Sequence, residues 1–268
     1  MSPEPGSLPR PRKRFGQHFL HDAGVIGRIV ECIGTQPGEV LCEIGPGRGA
    51  LTDRLAESGN VLHLLEIDRD LAGLLRERYT EQTQVTLHER DALNADLRSF
   101  SPNRPLVVVG NLPYNIASVL LIRLLSQRLF ISRMVFMLQK EVAQRLVAEP
   151  GSSGYSRLSV MVNRVCETRL LFDVGPGAFS PPPKVRSAVV SLRPRAEPLG
   201  PSVPDKAFEA LVRQAFSQRR KTLRNALKGA CQAEVIAQAG IDPDARPQTL
   251  AVQDFARLVS QQLADSGG

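Results

Sequence analysis

Cysteine is sparse in this sequence. Its four copies, Cys32, Cys42, Cys166 and Cys231, are far apart and form no CxxC pair, so neither a disulfide framework nor a zinc ribbon is supported. The four histidines, His18, His21, His63 and His88, show no metal-ligand spacing, and a reduced, metal-free protein is expected. An apolar signal-peptide core is missing from the N-terminus, which is rich in Pro and Arg instead. Long hydrophobic runs are missing too. The longest uncharged run, 18 residues between Arg104 and Arg123, contains Asn111, Pro113 and Asn115, which are costly in lipid, so no transmembrane helix is expected. These absences point to a cytoplasmic protein with no membrane partner.

What is present suits a folded domain. The 268 residues are 42% hydrophobic and 23% charged, enough for one large domain or a large and a small one. The net charge of +7 is concentrated: from Lys184 to Lys228 there are 11 basic and 3 acidic residues, and the rest of the chain is close to neutral. Arg outnumbers Lys 28 to 6 throughout, a bias that a GC-rich genome explains; the clustering is not explained that way and suggests a polyanion partner.

Residues 1–14 hold four prolines and four basic residues and read as a disordered basic tail. Asp22 can cap a helix whose apolar positions Val25, Ile26, Ile29, Val30 and Ile33 follow helical spacing. Short apolar strands then alternate with helices: strands at Val40–Ile44, Val61–Leu65, Val85–His88, Leu106–Val109 and Met134–Leu138, with helices through Leu51 and Leu55, through Leu71, Leu74 and Leu75, and through Ala117 to Leu125. Repeated units of this length imply right-handed crossovers and a doubly wound, mainly parallel sheet. A helix over residues 157–165 follows. Two strand-like segments, Arg169–Val174 and Arg186–Leu192, flank a proline-rich loop and predict an antiparallel hairpin at the sheet edge. Beyond a linker with Pro194, Pro198, Pro201 and Pro204, helical spacing returns in Phe208, Leu211, Val212, Ala215 and Phe216, and in Phe255, Leu258, Val259 and Leu263. The expectation is an α/β domain over residues 15–200 and a small all-helical C-terminal domain over 201–268.

Two motifs carry chemistry. Glu43-Ile44-Gly45-Pro46-Gly47-Arg48-Gly49 follows a strand and opens a helix, where glycines let the backbone approach a ligand. Glu66 ends the next strand, 21 residues after Gly45, where an acid accepts hydrogen bonds from the ribose of an adenosine-containing cofactor. A ligand-free turn and a solvated strand-end carboxylate are the alternatives. A dinucleotide would favour GxGxxG and a free helix N-terminus for its pyrophosphate; Pro46 and the shorter spacing suit S-adenosylmethionine better. Asp91, after the third strand, is placed to accept from the adenine amino group, though such residues are often only turn formers.

The second motif is Gly110-Asn111-Leu112-Pro113-Tyr114, after the apolar fourth strand. A strand-end Asn buried without partners costs on the order of 1–3 kcal/mol, so it needs two or three hydrogen bonds. A planar exocyclic amine supplies them: the Asn111 oxygen and the Leu112 carbonyl accept its two N–H bonds and localise the nitrogen lone pair. Pro113 fixes the turn and Tyr114 offers a face for the base. This signature belongs to amino-methyltransferases acting on adenine, cytosine or glutamine amides.

With these motifs, residues 14–20 (Arg14-Phe15-Gly16-Gln17-His18-Phe19-Leu20), Leu138-Gln139-Lys140-Glu141, Phe179-Ser180-Pro181-Pro182-Pro183-Lys184-Val185 and Gln218-Arg219-Arg220-Lys221-Thr222 appear in an order that closely resembles the rRNA adenine dimethylase family, in its bacterial small-subunit branch. The wider family includes eukaryotic dimethyladenosine transferases and resistance methylases of large-subunit RNA. The resemblance spans roughly residues 12–264 and implies a class I methyltransferase domain, of Rossmann-like fold, followed by helices. It implies dimethylation at N6 of two adjacent adenosines in a hairpin loop near the 3′ end of small-subunit rRNA, on the assembling subunit. By matching positions, His18, Leu20, Gly45, Glu66, Asp91 and Asn111 would line the S-adenosylmethionine site. His18 stands where Asn is common, and either side chain can hydrogen-bond the methionine end. Phe179 matches the aromatic that stacks on the flipped adenine opposite Tyr114; a core Phe anchoring the loop is the other reading. Lys184, Arg186, Arg219, Arg220, Lys221 and Arg224 are expected to contact RNA phosphates, the last four from a helix start. A monomer is expected.

Overall fold

The computed structural model describes Arg12 and residues 16–266. Apart from Arg12, the expected disordered tail lies outside the described residues. Arg12 itself is anchored: its guanidinium donates to Asp68 Oδ1 at 3.1 Å and pairs with Asp70 at 2.5 Å.

The described chain runs β1 (Phe19–Leu20), α1 (Ala23–Ile33), β2 (Val40–Ile44), α2 (Ala50–Ala56), β3 (Val61–Glu66), α3 (Arg69–Arg78), β4 (Val85–Glu89), β5 (Leu106–Asn111), α4 (Ala117–Leu125), β6 (Ile131–Gln139), α5 (Lys140–Leu146), α6 (Arg157–Val165), β7 (Cys166–Val174), β8 (Phe179–Ser180), β9 (Ser187–Pro194), α7 (Asp205–Ser217), α8 (Leu223–Ala226), α9 (Ala233–Gln238) and α10 (Val252–Ser266). Local signals start these elements where expected. Asp22 caps α1 by accepting from the Val25 amide, and Gly34 closes it in the left-handed conformation. Asp68 caps α3 in the same way through the Asp70 amide. Val107, Val108 and Val109 have no exposed surface, as expected of a strand covered on both faces.

Seven strands form one sheet in the order β4-β3-β2-β5-β6-β9-β7. The first five of these are parallel, and β9 is antiparallel to β6, with Met137 opposite Val189. The edge hairpin read from the sequence is thus β7 and β9, with β7 beginning three residues earlier than expected. The chain builds outward from β2 to β4, then returns to place β5 on the other side of β2. This reversal is the switch point of an open α/β sheet, and a crevice opens there beyond the strand ends. Gly110 permits it: a Cβ at that position would lie 2.4 Å from the Ile44 carbonyl oxygen. A second, two-stranded sheet pairs β1 antiparallel to β8, with Leu20 opposite Phe179. It leaves no signal in the sequence, since two residues are too few to show a period.

The chain divides into two compact units, one up to Ala143 plus Arg169–Pro194, the other Gln144–Thr168 plus Arg195–Gly268. The sequence-based division at residue 200 therefore differs over residues 144–168, which join the helical unit. Tyr155 explains their membership: it is buried in that unit's core with Phe208 and Phe255, and its hydroxyl donates to the Leu250 carbonyl at 2.9 Å. Leu263, expected to face inward, is 46% exposed on α10. Among the described residues no helix is long and apolar enough to cross a membrane.

Candidate active site at the sheet switch point

A cavity of about 320 Å³ lies in the first unit, beyond the C-terminal ends of β2, β3 and β5. Its wall includes His18, Leu20, Gly45, Glu66, Asp91 and Asn111, together with Leu112, Pro113 and Tyr114. The structure therefore gathers every expected cofactor-site residue, and the Asn111–Tyr114 motif, around one space. Phe179 is not part of that wall. It is 2% exposed, its backbone pairs with Leu20, and its ring belongs to the hydrophobic core, so the core reading replaces the stacking one.

Glu66 is placed by the end of β3 and is almost fully buried. Its two oxygens accept from the Gly47 amide at 3.2 Å and the Asp68 amide at 2.9 Å. Burial pushes its pKa up, and these backbone donors oppose the rise. Each carboxylate oxygen has capacity for a further bond, so the pair can still receive two vicinal hydroxyls. Gly47 is left-handed at φ 60°, and a Cβ there would meet the Phe19 ring at 3.2 Å. The backbone of the glycine turn is thus packed between the N-terminal strand and the cavity. A bidentate acid beside a bare glycine turn, with exposed Ile67 next to it, fits an adenosine-bearing group without phosphates.

Asn111 is the last residue of β5, which runs two residues further than the strand read from the sequence. Its Nδ2 donates to the His18 carbonyl oxygen at 3.0 Å. A carbonyl only accepts, so this bond fixes which end of the amide is which and leaves Oδ1 as the acceptor end. The Leu112 amide is occupied by the Met137 carbonyl at 3.1 Å, which holds the turn against β6. Tyr114 lies beside His18, ring centroids 5.6 Å apart, and its hydroxyl is 2.5 Å from that of Ser187.

The cavity also contains residues to which the sequence reading assigned no role. Gln17 lines it and donates to Asp68 at 3.0 Å, tying the N-terminal segment over the start of α3. Glu43, at the end of β2, is buried and accepts from Thr52 Oγ1 at 2.7 Å. Burial pushes its carboxyl up to about 8; the Thr52 bond opposes this, and the charges of Glu66 and Asp53 add to it. The rise favours the protonated form of Glu43. An acid inside an apolar strand was the one available signal for it. Gln17 gave none, because only the tertiary fold brings it to α3.

Of the expected RNA-contacting residues, Lys184 and Arg186 are exposed in the first unit, and Arg219, Arg220, Lys221 and Arg224 are exposed in the second. The last four do not share a helix start. Residues 218–221 form a turn closed by the Lys221 amide on the Gln218 carbonyl at 2.8 Å, and α8 begins at Leu223 and has four residues. Arg219 donates to the Ser153 carbonyl at 2.7 Å, and Arg224 pairs with Asp244. Among the described residues, the side chains of Arg220 and Lys221 have no hydrogen-bond or ion-pair partner.

A switch-point cavity with a ribose-type acid, a phosphate-free glycine turn and an Asn-x-Pro-Tyr strand end defines a class I methyltransferase that acts on an amine. Comparison with known proteins narrows this. The chain belongs to the ribosomal RNA adenine dimethylase family, whose model matches residues 9–263. It is 51% identical to the ribosomal RNA small subunit methyltransferase A of Pseudomonas aeruginosa, over 97% of each chain. The protein of the same description from Alcanivorax borkumensis is 50% identical, over 96% of this chain and 92% of its own. Among solved structures, a dimethyladenosine transferase from Plasmodium falciparum matches with a TM-score of 0.80 and 26% identity, over 93% of this chain and 98% of that one. The 23S rRNA methyltransferase ErmE matches with a TM-score of 0.68 and 30% identity, over 91% and 99%. This chain is thus an rRNA adenine dimethyltransferase, with S-adenosylmethionine as methyl donor.

Proposed function

We propose that this enzyme methylates, twice each, the N6 amines of two adjacent adenosines in a hairpin loop near the 3′ end of small-subunit rRNA, on the assembling small subunit. The observation that carries the proposal is the Asn111 carboxamide, pinned through Nδ2 to the His18 carbonyl so that Oδ1 is its acceptor end, beside Tyr114. Half identity to small-subunit methyltransferases along nearly the whole chain supports that subunit over the large one.

S-adenosylmethionine, when bound, supplies an electrophilic methyl group on a sulfonium. Glu66 would hold its ribose, Asp91 its adenine amine, and His18, Leu20 and Gly45 its remaining length. Asn111 Oδ1 and the Leu112 carbonyl would accept the two N–H bonds of the adenine amine, which localises the nitrogen lone pair toward the methyl group. Pro113 fixes that carbonyl, and Tyr114 supports the face of the base. Phe179 would act indirectly, by anchoring β8 to β1. Positioning and fixed dipoles suffice, because the attacking nitrogen loses its proton only after it has gained positive charge. A hairpin loop suits a base that must leave its stack to react.

Lys184 and Arg186, with Arg219, Arg220, Lys221 and Arg224, would hold RNA phosphates, the helical unit positioning the substrate rather than reading it. In this reading the enzyme is a cytoplasmic monomer, because the assembling subunit is cytoplasmic, and no membrane is involved. The test is methyl transfer from labelled cofactor to small-subunit particles from cells lacking the protein. Label recovered as N6,N6-dimethyladenosine is expected. Label only on large-subunit RNA or on protein would overturn the proposal.

A further inference from the structure

Ser187 is an odd residue for its place. It opens β9 inside a seven-stranded sheet, opposite Gln139 of β6, and is followed by Ala188, Val189 and Val190. All four are completely buried. A hydroxyl in such a run is costly unless it is hydrogen-bonded. Its bond is to the Tyr114 phenol, at 2.5 Å across 73 residues of sequence.

The Tyr114 ring is thus held at two points. The second is His18, whose ring plane is inclined by 28° to it. His18 is fixed in turn, because its Nδ1 lies 2.8 Å from the Pro181 carbonyl oxygen, which can only accept, so that nitrogen carries the proton. The two supports differ in stiffness. His18 is partly exposed and sits just before a two-residue strand, whereas Ser187 belongs to the central sheet. Where Ser187 and Tyr114 meet, the ring must adapt to the strand.

We propose that Ser187 is a positioning residue for the substrate base: its hydroxyl pins the Tyr114 phenol and so sets the plane on which a planar, amine-bearing base stacks in front of the Asn111 carboxamide. This rests on the reading of the cavity as an adenine N6 methylation site and extends it to a residue outside the Asn111–Tyr114 motif. Ser187 touches neither base nor cofactor. It acts through Tyr114, and its loss leaves the aromatic surface present but free to tilt. A tilted base presents its amine off line, which lowers turnover more than binding.

The test compares Ser187→Ala, Tyr114→Phe and the double variant with the wild type. Tyr114→Phe breaks the same bond without altering the sheet, so the inference stays testable if Ser187→Ala folds poorly. Each single variant is expected to lower kcat on small-subunit particles about tenfold, as for one lost positioning hydrogen bond. Cofactor affinity by calorimetry should not change. The double variant should lose no more than either single, because both remove one interaction. The chain has three tyrosines and no tryptophan, so labelled tyrosine Cζ gives few signals. Ser187→Ala should move only the signal that is absent in a Tyr114→Trp control. Wild-type turnover in Ser187→Ala, or losses that multiply in the double variant, would overturn the inference alone. No transfer by the wild-type chain would instead remove the proposed function, and this inference with it.

Discussion

At Asn111 the two ends of one side chain have separate duties. Nδ2 is committed to the His18 carbonyl, 93 residues away in sequence, so the bond that orients the amide is tertiary while the acceptor it leaves is functional. Removing a preorganised hydrogen bond of this kind costs about 10²–10³ in rate. Asn111→Ala should therefore slow single-turnover methyl transfer by that factor, with cofactor affinity by calorimetry changed by less than severalfold. Glu66 works the other way. Gln there keeps the shape but removes the charge, and one of the two backbone amides loses its acceptor. A charged hydrogen bond is worth roughly 1.5–3 kcal/mol, so Glu66→Gln should weaken cofactor binding about 10- to 100-fold in the same titration. Glu43 makes a different prediction. Its folded-state pKa of about 8 lies above the ordinary value of 4.5. Ionisation therefore favours the unfolded chain increasingly from about pH 4.5 up to about 8, and the stability present below that window is lost across it. Thermal unfolding should show the wild type losing more than Glu43→Gln between pH 5 and pH 8. Parallel curves would contradict the buried-acid account.

Among the elements, β2 and β5 matter most, because their adjacent ends carry the glycine turn and the Asn111 motif. Their separation is set by Gly110, where any Cβ would lie 2.4 Å from the Ile44 backbone oxygen. That oxygen cannot swing aside as a side chain would, so the strands must part. Overpacking of a rigid site costs about 1–3 kcal/mol or more, and here the displaced strands also carry Gly45 and Asn111. Gly110→Ala should lower the urea midpoint and abolish methyl transfer together; unchanged stability would mean that the strands adjust freely. The small β1–β8 sheet works at the same scale. It joins the N-terminal segment to the proline-rich loop through Leu20 and Phe179, and thereby brings His18 to Asn111 and Tyr114.

For the whole molecule, the charge distribution and the division into units meet in the basic turn of the helical unit. Arg219 and Arg224 already have internal partners there, while Arg220 and Lys221 have none among the described residues. A residue already paired within the protein gains less from a phosphate. Replacing Arg220 and Lys221 by Gln should lower the slope of log K against log salt for RNA binding by roughly 0.7–0.9 per residue. The same change at Arg219 and Arg224 should lower it less. Cofactor affinity should stay the same in both, because the cavity lies wholly in the other unit. Equal slopes for wild type and all variants would assign the turn to surface charge alone.

The doubly wound sheet, the place of the cavity and most of its wall were already legible in the order of the amino acids. Strand and helix periods, the Asp22 cap, and the glycine and Asn111 motifs are local signals, readable within a few residues, and the switch point follows from the order of elements. What depends on contacts between distant segments emerges only in the folded chain. Phe179 illustrates this: its motif is visible in the chain, but its burial follows from a two-residue strand pairing with Leu20, too short to leave a periodic trace. Residues 144–168 joined the helical unit because Tyr155 packs there, which the spacing of residues 157–165 could not reveal. The Ser187–Tyr114 and Gln17–Asp68 bonds likewise link side chains 73 and 51 residues apart. A hydroxyl or an amide looks the same in sequence whether it meets water or a partner; the fold alone determines which.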